Sequence, residues 1–367
     1  MIATKGRLIA LSSAALLLLS ACSSPGASPT GAASVAPPSE AASAPAGSPA
    51  GSPAGSPAAA GIEVGYLPKD INNPYFAAAK VGIDKGVTEL GGAPVETVGP
   101  PTPDAPLQIP FITDLTTKGV KAIIISADDP DAVAPALKEA MDAGIKVVGF
   151  DASPAVGAYD VFVNQVDFSK VGVNLAEWAC ELAPDCTGDI AILSAKATSP
   201  NQNSWIELMK STLATDPKFA KLKLVDTVYG NDEAPESTKQ AQGLLQKYKD
   251  LKVIVSPTTV GIAAAAKVVK DAASPVKVTG LGFPHDMKPY VEDGTSPVYG
   301  LWSVPDLGYL AYQVANKLVS GEITGKEGET FTVPSLNGGQ PYTIGKDGVV
   351  TLGPVFRFDK TNLDVFF

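Results

Sequence analysis

Histidine is nearly missing: one residue, His285, in a chain of 367. A serine triad needs a histidine base and a multi-histidine zinc site needs several, so neither chemistry fits. No Gly-x-Ser-x-Gly, Walker loop, His-Glu-x-x-His or dinucleotide Gly-x-Gly-x-x-Gly occurs either. His285 lies between Pro284 and Asp286 and reads as a structural or surface residue. Basic residues are outnumbered, 28 against 38 acidic, which argues against a nucleic-acid partner. Long apolar runs are absent except for Leu8 to Leu19, which is too short for a bilayer-spanning helix.

That short run has its own meaning. Lys5 and Arg7 precede it and Leu19-Ser20-Ala21-Cys22 follows, the pattern of a signal peptide (residues 1–21) ending in a lipobox. The expected product begins at a lipidated Cys22, anchored on the extracytoplasmic face of the cell membrane. Residues 22–60 continue almost wholly in Ala, Ser, Gly and Pro, with Gly-Ser-Pro-Ala repeated at Gly47, Gly51 and Gly55. Such a segment has nothing large to bury and reads as a disordered tether. Removing Lys5 and Arg7 with the leader leaves 26 basic residues against 38 acidic, a net charge of −12 spread along the chain. Of three cysteines, only Cys180 and Cys186 then remain. In an exported domain they are expected to form a structural disulfide, since their spacing is not the Cys-x-x-Cys of redox chemistry.

About 300 residues are left to fold, enough for two medium domains. The organising stretch runs from Ile62 to Phe76. Ile62, Val64 and Tyr66 suit a buried strand, Asn73 suits an N-cap and Pro74 a first helical position. Helix-spaced apolar residues then alternate with short apolar runs at Val95 to Val98, Ala122 to Ser126 and Val147 to Phe150. Near-continuous apolar strands imply a parallel sheet covered on both faces. The pattern restarts with Val161 to Val163 and builds a second sheet as far as Gly282. Lys146-Val-Val-Gly-Phe-Asp151 and Lys277-Val-Thr-Gly-Leu-Gly-Phe-Pro284 stand at equivalent strand ends. The fold class is α/β, with two doubly wound parallel-sheet lobes.

In such sheets ligands bind beyond the carboxyl ends of the strands. Lys69, Asn73, Asp128, Asp151, Asn164, Gln165, Asn201, Gln202, Thr258, Thr259 and Ser303 supply donors and acceptors there. Tyr75, Phe76, Trp205 and Trp302 supply flat apolar walls. A sugar needs that mixture, because a carboxylate or amide takes neighbouring hydroxyls while an aromatic face covers the ring's C–H side. Taken singly, Trp205 reads as helix packing and Asn201 as a cap. Asp128 and Asp151 leave two-carboxylate hydrolysis open on composition, yet nothing in their sequence setting marks the raised acid pKa it needs.

The residues also carry a resemblance. Tyr66-Leu-Pro-Lys-Asp-Ile-Asn-Asn-Pro-Tyr-Phe76, Ile125-Ser-Ala-Asp-Asp-Pro-Asp131, Phe150-Asp-Ala-Ser153, Val163-Asn-Gln165, Asn201-Gln-Asn-Ser-Trp205, Ser256-Pro-Thr-Thr-Val-Gly261, Gly300-Leu-Trp302 and Phe358-Asp-Lys-Thr-Asn-Leu-Asp364 are its pieces. With them the chain resembles the type 1 periplasmic sugar-binding proteins of ABC importers, in the branch of rhamnose-binding and autoinducer-2-binding proteins. The resemblance implies lobes joined by a three-segment hinge, one sugar in the interlobe cleft, no catalysis, no cofactor and no metal. It also implies ABC permease and ATPase partners and a monomer. The N-terminal lobe is expected at 61–151 plus 284–324, and the C-terminal lobe with the hinge crossings at 152–283 plus 325–367. Autoinducer-2 binders hold their ligand with a Lys, an Asp, an Asp-Gln pair and a Pro-x-Ala segment, which fall here on Lys69, Asp151, Asn201-Gln202 and Pro257-Thr258-Thr259. Asn201 replaces that Asp and Thr259 that Ala, while Pro257-Thr-Thr-Val-Gly261 and Leu307-Gly-Tyr-Leu-Ala311 are closer to rhamnose-binding members. The ligand-binding set read this way is Lys69, Asn73, Phe76, Asp151, Gln165, Asn201, Gln202, Pro257, Thr259 and Trp302, for a 6-deoxyhexose such as L-rhamnose. Autoinducer-2 or a ribose- or xylose-like monosaccharide is the alternative ligand, and a membrane-anchored carbohydrate-active enzyme the alternative class.

Overall fold

The computed structural model describes residues 62–363. The leader, Cys22, the tether and Asp364 lie outside the described residues. The first lobe opens with β1 (Val64–Leu67), α1 (Pro74–Leu90), β2 (Glu96–Thr97), α2 (Ala105–Lys118), β3 (Ala122–Ile125), α3 (Pro130–Asp142), β4 (Lys146–Phe150) and β5 (Val161–Val166). The second contains α4 (Phe168–Leu182), β6 (Gly188–Ser194), α5 (Pro200–Thr215), β7 (Leu222–Tyr229), α6 (Ala234–Lys247), β8 (Leu251–Ser256), α7 (Thr259–Asp271), β9 (Lys277–Gly280), α8 (Pro284–Glu292) and β10 (Tyr299–Leu301). The chain ends with α9 (Val304–Ser320), the short pair β11 (Thr330–Phe331) and β12 (Tyr342–Thr343), β13 (Val349–Gly353) and β14 (Phe356–Phe358).

Two parallel sheets result, in the orders β2-β1-β3-β4-β5-β13 and β7-β6-β8-β9. Strand periodicity sorts the first lobe's core. Tyr66, Ile124 and Val148 face one buried cluster with Ile83 and Leu310, while Leu67, Ile123, Ile125 and Val147 face the other with Ile112, Leu115 and Leu137. α1 and α9 cover the first face, packed backbone to backbone: a methyl on Gly82 would run into the carbonyl of Pro305, and one on Gly308 into that of Ala79. In the second lobe α4 packs with α5 and α6 with α7 over the sheet. Cys180 and Cys186 form the expected disulfide at the end of α4.

The lobe boundaries need correction. β5, read from sequence as the start of the second lobe, pairs with β4 in the first sheet, Val148 opposite Val161. β13, expected in the second lobe, pairs with β5. Residues 284–301, expected in the first lobe, lie in the second: α8 packs on α7, and Leu281 after β9 bridges to Gly300 of β10. The lobes are therefore residues 62–166 with 304–353, and 168–301 with 356–363. The cause is the link from β4 to β5, residues 151–160, which returns the chain to the same sheet without a helix. Parallel neighbours usually need a helical crossover, so the sequence there looks like a new start. The chain crosses between lobes at 166–168, 301–304 and 353–356, which makes the three segments implied by the resemblance.

Candidate functional site

The carboxyl ends of the first sheet's strands are tied together from beneath. Gln108, fully buried on α2, donates to the carbonyls of Pro68 and Ser126 (3.0 and 2.9 Å) and accepts from the amide of Asp128 (3.0 Å). It thereby fixes the turns that carry Lys69 and Asp128. Asn73 caps α1 by accepting from the amide of Tyr75 (3.0 Å), with Pro74 at the first turn, as those residue types require.

Asp151 is the centre of the site. It follows β4 in the left-handed region (φ 60°), a conformation Asp tolerates better than most residues. Its Oδ2 accepts from Ser126 (2.9 Å) and lies 3.8 Å from Lys69 Nζ; its Oδ1 stands 3.4 Å from both Gln165 Nε2 and Asn201 Nδ2. Lys69 and Asp151 are each only 5% exposed. Burial pushes the Asp151 carboxyl above its ordinary range, opposed by the Lys69 charge and by hydrogen bonds from Ser126 and Tyr75. The Tyr75 hydroxyl also accepts from Trp302 Nε1 (2.9 Å), and burial followed by the Asp151 charge pushes it well up. Asn201 belongs to the other lobe, so this carboxylate draws donors from both sides of the cleft.

Around it lies a small cavity of about 40 Å³. Lys69, Asp151, Asn201, Gln202 and Asp232 supply its polar lining. Tyr75, Phe76, Trp205, Pro257, Leu281, Leu301 and Trp302 supply apolar surface. Trp205 and Trp302 meet edge to face at 5.7 Å, and Phe76 does the same with Phe150 at 6.2 Å. Trp205 Nε1 is buried and has no acceptor within the protein. Gln202 Oε1 accepts from Ser194 (2.7 Å) and from the amide of Ala195 (2.9 Å), which aims its amide group.

Eight of the ten residues read from sequence line this cavity: Lys69, Phe76, Asp151, Asn201, Gln202, Pro257, Thr259 and Trp302. Gln165 stands behind it, donating to Asp151. Asn73 is also outside, with its Nδ2 donating to Asp232 Oδ2 (2.8 Å). Trp205, read as helix packing, is both a packed residue and a wall. Asp128 differs from its sequence reading: it is 1% exposed, neither oxygen has a partner within the protein, and burial, offset in part by Lys69 and Lys196, pushes its carboxyl up to about 6. Gln108 and Asp232 were missed. The signal for Gln108 was one amide among Ile109, Ile112 and Leu115 on a helix; for Asp232 it was Gly230-Asn-Asp232 at a strand's carboxyl end.

Residues 64–323 match the description of the periplasmic binding protein domain. The chain belongs to that family. Among solved structures of such binding proteins, a sugar ABC transporter protein from Actinomyces odontolyticus is 39% identical, covering 83% of this chain and 97% of its own, with a TM-score of 0.67. An ABC transporter solute-binding protein from Clostridium phytofermentas with bound L-rhamnose is 35% identical, covering 84% and 98%, with a TM-score of 0.79. A D-ribose/D-allose-binding protein of Pseudomonas aeruginosa is 25% identical over 232 residues, 60% of this chain and 69% of that protein.

Proposed function

We propose that this chain is the sugar receptor of an ABC importer and that its ligand is a 6-deoxyhexose, with L-rhamnose the best fit. The observation that carries this reading is Asp151, a buried carboxylate reached by Lys69 from one lobe and Asn201 from the other, set against Phe76, Trp302, Leu281 and Leu301. Adjacent sugar hydroxyls can give both their protons to one carboxylate while Lys69 and Asn201 donate to the sugar's oxygens. The apolar residues offer a methyl group a dry surface with no polar atom left unpaired. The Trp205 indole, on the cavity wall, adds an unpartnered donor. The 35% identity to a protein holding L-rhamnose supports the same sugar. The changes at Asn201 and Thr259 count against autoinducer-2.

In this reading Cys22 carries lipid, the 22–60 segment gives reach, and the folded part hands its ligand to permease and ATPase subunits as a monomer. Replacement of Cys22 by Ser should then release the protein from the membrane. The receptor reading is tested by incubating purified protein with L-rhamnose: calorimetric binding with the sugar recovered unchanged supports it. Recovery of an altered sugar would replace it with the enzyme alternative.

A further inference from the structure

We propose that Asp232, which also lines the cavity around Asp151, bonds the two lobes to each other in the closed form and so stabilises closure even when no ligand is present. This rests on the receptor reading above only for its ligand readout. Asp232 lies in the second lobe between β7 and α6, and its two carboxylate oxygens are divided between the lobes. Oδ2 accepts from Asn73 Nδ2 of the first lobe at 2.8 Å, and Oδ1 accepts from the hydroxyl of Thr258 in the second. Thr258 thus steers the carboxylate toward the cleft.

The surrounding loop is built to hold that position. Asn231 and Asp232 are consecutive left-handed residues (φ 54° and 58°), an arrangement non-glycine residues adopt at a cost and keep when the surroundings enforce it. Here the amides of Gly230 and Asn231 donate to the carbonyls of Ser194 and Ala195 (2.8 and 2.9 Å), and that of Glu233 to Gly230 (3.0 Å). The anchored partner, the loop after β6, makes a second bond across the cleft from Lys196 Nζ to the carbonyl of Pro103. Two adjacent loops of one lobe therefore grip two loops of the other, through bonds other than those that Lys69, Asp151 and Asn201 make.

The consequence follows from population arithmetic. If bonds that involve no ligand stabilise the closed form, the apparent dissociation constant is the intrinsic one divided by the closed fraction. Asp232→Ala lowers that fraction. Asp232→Asn keeps the shape, with one atom still accepting from Asn73 and the other able to donate to Thr258, so it preserves most of the effect.

The test uses the purified Cys22→Ser chain with spin labels on Val81→Cys and Lys239→Cys, exposed positions on α1 and α6 that leave the disulfide intact. Without sugar, Asp232→Ala is expected to move the interlobe distance distribution to longer values, with Asp232→Asn close to the parent. With L-rhamnose, Asp232→Ala is expected to raise the dissociation constant at least tenfold, and because Asp232 also lines the cavity it is the sugar-free distances that separate closure from ligand contact. Identical distance distributions for Asp232→Ala and the parent would overturn the proposal, as would an unchanged dissociation constant in a parent that binds. A parent that binds no sugar refutes the receptor reading instead, and the distances still decide the role of Asp232.

Discussion

Lys69 and Asp151 meet inside the cleft, Nζ 3.8 Å from Oδ2, with each residue only 5% exposed. Removing one partner of a buried pair strands the other charge, a loss of roughly 3–5 kcal/mol in comparable cases. Asp151→Ala is therefore expected to lower the thermal midpoint and to weaken sugar binding at least tenfold, about 1.4 kcal/mol or more. The double variant Asp151→Ala with Lys69→Met should recover much of the stability and none of the binding. Thermal unfolding and calorimetry on the two variants check this.

Asp128 gives a pH signature. Its carboxyl titrates at about 6 in the folded protein and near 4 when unfolded, so between those values the folded state holds the extra proton. Stability then falls as pH rises from about 4 to 6 and the penalty stays constant above. Asp128→Asn should be more stable than the parent at pH 7, by at most roughly 3 kcal/mol and so with a higher thermal midpoint, and the gap should close by about pH 4. Equal midpoints across this range would contradict the assignment.

The crossing of α1 and α9 leaves no room for a side chain. Gly82→Ala or Gly308→Ala should each cost roughly 1–3 kcal/mol, the usual range for overpacking. Denaturant midpoints would register either change, while Gly243→Ala on α6, where a methyl meets nothing, should be neutral or slightly stabilising.

The bond between Cys180 and Cys186 closes a short loop after α4. Its removal by a Cys180→Ser, Cys186→Ser pair should cost about 2–3 kcal/mol in the chain-entropy account. Intact-mass analysis of exported protein should show no free thiol at these positions.

Much of this was legible in the residues because strands and helices here obey simple periods. The Asn73-Pro74 start of α1 and the apolar runs Ala122–Ile125 and Lys146–Phe150 each carry a local physical signal. β5 reads from sequence as the start of the second sheet because sheet membership is a long-range fact, and residues 152–160 have no helical pattern to show that the chain stays in its lobe. The site divided along the same line. Lys69, Asp151 and Asn201 stand at strand ends or a helix start and could be collected by position. Asn73 and Gln165 looked the same but are spent on Asp232 and Asp151, partners that only the folded chain brings near. Burial of Asp128 is likewise invisible in a sequence where its neighbours are Asp129 and Pro130.

The most direct measurement is calorimetry of the purified Cys22→Ser protein against L-rhamnose, L-fucose, D-ribose, D-galactose and autoinducer-2, paired with thermal shifts. Ligand at about a thousand times its dissociation constant should stabilise by roughly 4 kcal/mol. The account predicts tightest binding to L-rhamnose, with the response lost in Asp151→Ala. Tight binding of autoinducer-2 with none of L-rhamnose would contradict the ligand assignment, and no response to any of the five would contradict the sugar-receptor reading itself.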